Sequence, residues 1–238
     1  MAKTELNPGA LLSPLPAVLV SCGSAEEHNV FTVAWTGILC SHPPKTYVSI
    51  RPERHSHGMI SRAREFVINI PPAALARAVD LCGVKSGRDG DKFALAGLTA
   101  EESRRVSAPS VAECPISIEC RVTDIVPLGS HDMFMADIAA VCVDEALMDK
   151  NGKLEIERCS PLAYAHGTYY RLGEALGTFG FSVRKKPPQV GGGRRSVRKN
   201  QRKREGCRTC GQAFPARQSS SARFWHCLPG AWRAAARP

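Results

Sequence analysis

Between Ser49 and His57 the chain reads Ser-Ile-Arg-Pro-Glu-Arg-His-Ser-His, with two arginines, two histidines and two serines in nine residues. Forked guanidinium groups, hydroxyl donors and the opening N–H groups of a helix are what a phosphate group needs. Ser49, Arg51, Arg54, Ser56 and His57 are therefore candidate anion ligands. The competing reading is a charged surface turn after a core strand. A second polar stretch, Cys82–Phe93 (CGVKSGRDGDKF), offers Ser86, Arg88 and Lys92 around Gly87. It is either another phosphate-facing loop or an ordinary solvated one. Asp89 and Asp91 have the spacing of a calcium loop, but the twelfth position is Ala100 and not the required Glu, which excludes calcium. Thr32-Val33-Ala34-Trp35-Thr36-Gly37 ends a strand with hydroxyls and exposed backbone. His131 opens a long strand, and His166 lies among the aromatics of Tyr164–Tyr170 (YAHGTYY). Both histidines suit the edge of a flat-ring pocket; a taskless hairpin histidine and a packed aromatic patch are the alternatives.

These residues need elements to hold them. Residues 14–23 read as a buried first strand, 25–29 as a hairpin turn and 30–37 as a second strand. A third strand covers 46–51, and 55–64 has helical spacing with Ser56 near its start. Strand 65–70 stops at Pro71-Pro72, and a helix follows over 73–82. After the 83–92 loop, 95–107 is a mixed connection. Ile116, Ile118, Cys120 and Val122 alternate with Ser117, Glu119, Arg121 and Thr123, the period of a strand. Gly129-Ser130 joins 115–128 to 131–147 as an antiparallel hairpin. Residues 149–152 form a turn, and 162–176 read as a short helix interrupted by glycines. Strands with short turns argue for a mainly β barrel or sandwich, with helices as inserts.

Charge divides the chain. Residues 187–238 hold 12 Lys/Arg and one acid, Glu205, a net of +11, which leaves −1 of the total +10 for residues 1–186. The basicity thus belongs to a Pro-, Gly- and Arg-rich tail that reads as disordered. Cys207, Cys210, His226 and Cys227 there have zinc-like spacing, but so little apolar residue surrounds them that no metal site is expected. A nucleic-acid-binding tail is the weakest functional reading. The seven cysteines of the body are odd in number, irregularly spaced and set in apolar runs, as buried free thiols of a reducing cytoplasm would be. No apolar stretch is long enough for a membrane span. No dinucleotide fingerprint, Walker loop, HExxH or GxSxG is present.

Seven segments taken in order are similar to the flavin reductase-like, FMN-binding split-barrel family, and within it to the flavoredoxin group: TVAWTG (32–37), SIRPERHSH (49–57), FVINIP (66–71), CGVKSGRDGDKF (82–93), PLGSHDMF (127–134), YAHGTYY (164–170) and FGFSVRKK (179–186). The resemblance implies a six-stranded split β-barrel over 1–186, antiparallel and Greek-key-like, with 187–238 as a tail outside the family pattern. It implies a homodimer with FMN near the subunit interface. Thr32, Ala34, Trp35 and Thr36 would border the flavin ring. Ser49, Arg51, Arg54, Ser56 and His57 would hold ribityl and phosphate, helped by Ser86, Gly87 and Lys92. His131 and His166 would lie by the ring or on the nicotinamide side. Electrons would come from NAD(P)H or a protein donor and leave to a redox partner or free flavin, with no side-chain acid or base required. The alternative is a non-enzymatic module holding flavin, or haem with His131 or His166 as axial ligand.

Overall fold

The computed structural model describes residues 1–184. The chain opens with two short strands, β1 (Leu15–Pro16) and β2 (Val18–Gly23), then β3 (His28–Val33), β4 (Thr36–Ser41) and β5 (Pro44–Ile50). Helix α1 (His55–Ala63) leads into β6 (Glu65–Ile70), and α2 (Ala76–Val84) and α3 (Lys92–Ala96) follow. Two-residue strands β7 (Ala100–Glu101) and β8 (Ser110–Val111) precede the long hairpin β9 (Ile116–Pro127) and β10 (Asp132–Val143). A last hairpin pairs β11 (Leu162–Ala165) with β12 (Thr168–Arg171).

The main sheet has seven strands in the order β3-β2-β6-β9-β10-β5-β4, all antiparallel. Its two outer strands are consecutive in the chain, joined only by Ala34 and Trp35. Laid flat, seven strands would hold their edges about 29 Å apart, at about 4.8 Å per spacing. Three peptide units reach about 11 Å at most. The sheet must therefore curl until its edges meet. No ladder pairs β3 with β4 among the described residues, so the barrel closes through the link and stays split along that seam.

Inside the barrel, Val18, Val20 and Cys22 of β2 meet Phe66 and Ile68 of β6 and Phe134 of β10. Met59 and Ile60 of α1 pack into the same core and plug one end. The other face of β2 and β3 is also covered: Leu19 and Val30 pack on Ala78, Val79 and Cys82 of α2 and Phe93 of α3. Burial on both faces explains why 14–23 is apolar without alternation. A buried polar knot joins four segments. Asn69 donates to the Leu19 carbonyl (3.2 Å) and to Ser21 (2.9 Å), while its Oδ1 accepts from Ser117 and from the Val111 N–H, both at 3.0 Å. No described buried side-chain polar atom lacks a partner.

Three expectations change. The strand predicted over 30–37 breaks after Val33, because the chain must cross the seam there. The sheet has seven strands rather than six, β4 being the added edge. The helix predicted over 162–176 is instead the β11–β12 hairpin. Its two-residue turn places His166 at φ 46° and Gly167 at φ 85°, the positive pair that a tight hairpin demands. Pairing Leu15 with Tyr164 adds β1 and makes a small three-stranded sheet.

Met1–Gly173 form one compact unit; residues 174–184 belong to another and carry a single 3₁₀ turn at Phe181–Val183. The tail at 187–238, its Cys207, Cys210, His226 and Cys227 included, lies outside the described residues. All seven body cysteines are free, and five are buried. No described helix is long and apolar enough to cross a membrane.

Candidate functional site

A cleft of about 720 Å³ runs along the barrel seam, within the range of small-molecule sites. One end is built from the start of α1 and the 85–91 loop. Arg54 is the N-cap residue of α1 in extended conformation, and no side chain caps the helix. The N–H groups of His55 and Ser56 therefore remain donors at the positive end of the helix dipole, while that of His57 turns back to the Arg54 carbonyl at 3.0 Å. Ser56, expected near this start, is buried inside the first turn, where its Oγ accepts from Asn29 Nδ2 at 2.7 Å. That bond ties α1 to β3.

The loop is shaped by its own contacts. Arg88 N–H donates to Ser86 Oγ at 3.2 Å, and the Arg88 guanidinium donates to the Glu53 carbonyl at 3.0 Å. The Lys92 ammonium reaches back to the carbonyls of Cys82 (2.9 Å) and Lys85 (3.3 Å). Gly87 lies so close to the helix start that a Cβ there would fall 2.6 Å from Asn29 Oδ1 and 2.8 Å from His55 Cδ2. Only glycine allows the two segments to close into one cradle. Lys92 is 3% exposed, and burial drives its ammonium down to about 8, against a smaller opposing pull from Cys82. Burial pushes the Cys22 thiol beneath the cradle up to about 12, the Ser56 hydroxyl acting in the other direction. That thiol is inert.

The lining as a whole contains five Lys/Arg against two acids: Arg51, Arg54, Lys85, Arg88 and Lys92 face Glu53 and Asp80. Arg51 and Glu53 approach at 3.7 Å on the surface, a contact of small energetic value. The cradle is thus cationic.

The seam link forms the next wall. Thr36 N–H closes onto the Ala34 carbonyl at 3.1 Å, and Ser49 N–H donates to the Trp35 carbonyl at 2.9 Å. This turn presents Trp35, 44% exposed, stacked on His131 with ring centroids 6.1 Å apart and planes 13° apart. The far wall holds Tyr164, Gly167 and Tyr169 of the terminal hairpin and Asp80 of α2. Thr32 donates its hydroxyl to the Val79 carbonyl and so fixes α2 beside this wall.

Of the twelve sequence candidates, ten line the cleft: Thr32, Ala34, Trp35, Ser49 and Arg51, then Arg54, Ser56, Ser86, Gly87 and Lys92. Thr36 does not; its hydroxyl is spent on the Tyr47 carbonyl inside the β4–β5 pair. His57 lies on the far side of α1, with Nε2 2.8 Å from Asp132 Oδ2 and its ring edge-on to Phe134. His131 lines the cleft, whereas His166 is an exposed turn residue outside the lining. Sequence reading missed Asn29, a polar residue within a buried strand, and Asp80, a lone acid flanked by Val79 and Leu81.

Comparison with known proteins identifies the family of the fold. The family model for the flavin reductase like domain matches residues 11–173. The chain belongs to the flavin reductase-like family. Flavoredoxin of Desulfovibrio vulgaris (Miyazaki F) superposes with a TM-score of 0.72 at 33% identity, covering 77% of this chain and all of that one. This similarity groups the chain with the flavoredoxins inside the flavin reductase-like family. The FMN-binding protein of Thermus thermophilus, solved with bound 1-cyclohex-2-enone, gives a TM-score of 0.61 at 26% identity over 75% of this chain and 97% of its own. The reductase component of a 4-nitrophenol monooxygenase from Rhodococcus opacus is 31% identical over 110 residues, 45% of this chain and 54% of that protein.

Proposed function

We propose that this flavin reductase-like protein binds FMN in the seam cleft and passes electrons through it. The observation that carries the reading is the polarity of the cleft: a cationic cradle closed by Gly87 at one end, and the flat Trp35–His131 stack beyond it. A phosphate-tailed planar ring matches that order. Arg54, Arg51 and the first N–H groups of α1 would take the phosphate, with Ser86 and Lys92 from the loop. Backbone groups of 34–36 and the Trp35 face would border the ring. Bound FMN supplies hydride acceptance and one- or two-electron exchange. The protein's own work is to hold, orient and partly cover it; no acid or base at 131 or 166 is needed for that.

The family's flavoredoxins and reductase components support an oxidoreductase role. NAD(P)H or a reduced protein would be the donor, and free flavin or a partner protein the acceptor. Edge strand β4 exposes Ile38 and Leu39, an apolar edge that a second copy would cover in a homodimer. A cytoplasmic location fits seven thiols that stay free. Haem gains less from this geometry, because His131 is stacked on Trp35 and its Nδ1 is 3.0 Å from Ser130 Oγ, while His166 is outside the cleft.

The test is a titration followed by flavin fluorescence, with FMN compared against riboflavin, which lacks the phosphate. FMN should bind at least about 30-fold tighter, as expected for two charge-assisted hydrogen bonds. Equal affinities, or no binding of either, would remove the proposal. Stopped-flow reduction by NADH and NADPH then decides the donor: rates no faster than with free FMN point to a protein donor.

A further inference from the structure

His57 turns away from the cradle that its helix opens, and its partner stands on the strand that follows His131. His57 Nε2 lies 2.8 Å from Asp132 Oδ2, and both side chains are largely shielded, at 18% and 19% exposure. Neither lines the cleft. A carboxylate so shielded accepts a strong bond, because little water competes for it. The two ends of this bond are not equally fixed. Helix α1 has its own anchors, Met59 and Ile60 in the barrel core and the Asn29–Ser56 bond. The β9–β10 tip has fewer. Asp132–Ile50 is the last pair of the β5–β10 ladder, and Leu128, Gly129 and Ser130 beyond it are exposed. Among the described residues, the one side-chain hydrogen bond from 127–132 to another element is Asp132–His57. His131 immediately precedes Asp132, so alternation turns its side chain to the other face, where it stacks on Trp35.

Resting on the FMN reading, we propose that His57 and Asp132 are positioning residues of the cleft: their bond holds His131 on Trp35 and so fixes the flat stack relative to the cradle at the start of α1. Neither side chain would touch the flavin. Arg54 and Ser56 precede His57 in the first turn of the same helix, so the cradle and one half of the pair move as one body. The other half is joined through the backbone to His131. A ligand gripped at both ends loses affinity when slack appears between them, whereas a ligand held at the ring alone follows the stack. The pair therefore acts on FMN and spares riboflavin. A pair that only supported the barrel would act on both flavins or on neither.

The test uses the full chain carrying Asp132→Ala, His57→Phe or both, titrated with FMN and with riboflavin. His57→Phe keeps an aromatic ring against Phe134 and removes the bond without opening a cavity, so it serves if Asp132→Ala fails to fold. Trp35 is read separately in the flavin-free proteins by acrylamide quenching, with Trp35→Phe protein subtracted to remove Trp225 and Trp232. Each single variant should lose about tenfold in FMN affinity, as expected for one hydrogen bond to a charged group, and the double variant no more than either alone. Riboflavin affinity should not change, and acrylamide should reach Trp35 more readily as His131 lifts. Asp132→Asn keeps an acceptor oxygen in place and should return FMN affinity to within about threefold of the parent. Equal losses for the two flavins, unchanged FMN affinity in folded variants, unaltered quenching of Trp35, or no rescue by Asp132→Asn would each overturn the proposal. If the parent binds neither flavin, the FMN reading fails on its own, and the quenching of Trp35 still decides whether the pair holds the stack.

Discussion

Two parts of the seam cleft's lining are built in opposite ways. The cradle comes from chain-local pieces: a turn running into α1, and a loop whose ends are clamped by Lys92 on the carbonyls of Cys82 and Lys85. It is cationic and tightly closed. The other part is assembled from distant pieces, Asp80 on α2 and a hairpin more than eighty residues later that pairs with β1. That wall carries the acid and the phenols. The comparison teaches that local sequence builds the cradle proposed to hold the phosphate, and long-range pairing builds the wall beside it.

The sharpest way to break the comparison is to open the cradle alone. Gly87→Val would put side-chain carbon where 2.6 Å already separates an added Cβ from Asn29 Oδ1. The loop must lift from α1, and FMN affinity should fall by about 100-fold or more, since several phosphate donors lose their geometry together. Thermal stability should change little, because the loop lies outside the barrel core. A fall in melting temperature with unchanged affinity would show that the cradle is only structural. Arg54→Ala is the narrower cut: about 10- to 100-fold loss for FMN and none for riboflavin.

The same contrast explains what was legible in the sequence. The strand at Glu65–Ile70 appears with the expected bounds, and α1 spans 55–63 where 55–64 was expected. The strand is bounded by a strong local signal, Pro71, whereas the helix ends at Arg64 in the left-handed conformation without the glycine that usually marks such an end. The cleft residues proposed to hold an anion were legible for a related reason: Ser49, Arg51, Arg54 and Ser56 lie close together in the chain. The break at Ala34–Trp35 was not readable, because Val30–Val33 and Trp35–Thr36 are β-forming on both sides of a single Ala34 and the interruption arises only when seven strands curl. The hairpin at 162–171 reads from sequence as part of a helix over 162–176 because Leu162, Ala163 and Ala165, with Leu172, Ala175 and Leu176 beyond it, are good helix formers. Its signal was His166-Gly167, a two-residue turn that lacks the usual Asn or Asp before its glycine. Asp80 became a site residue only through the hairpin placed opposite it.

A pH series sharpens the difference, because Lys92 belongs to the cradle alone. Its ammonium titrates near 8, below the ordinary lysine range, because burial penalises the charge. The phosphate of FMN is already close to a dianion at pH 7. As pH rises through 8, Lys92 loses its proton, and FMN affinity should drop by about three- to tenfold by pH 9.5. Stability of the flavin-free protein should move in the opposite sense. Between about 8 and the ordinary lysine value the unfolded chain holds the extra proton, so stability rises with pH over that window. Lys92→Met should flatten both curves, and riboflavin binding should show neither.

The smallest effect tests the far wall. Gly167 sits at φ 85° with open space where a Cβ would go, so Gly167→Ala costs only the left-handed backbone strain, about 1 kcal/mol. The strain falls on the β11–β12 turn and not on the barrel. If the hairpin is a wall held by pairing with β1, this substitution should raise hydrogen exchange at 162–171 by about fivefold, while FMN affinity stays at the parent value. If FMN affinity fell by the same factor, the hairpin would belong to the cradle's own energetics, and the two parts of the lining would act as one.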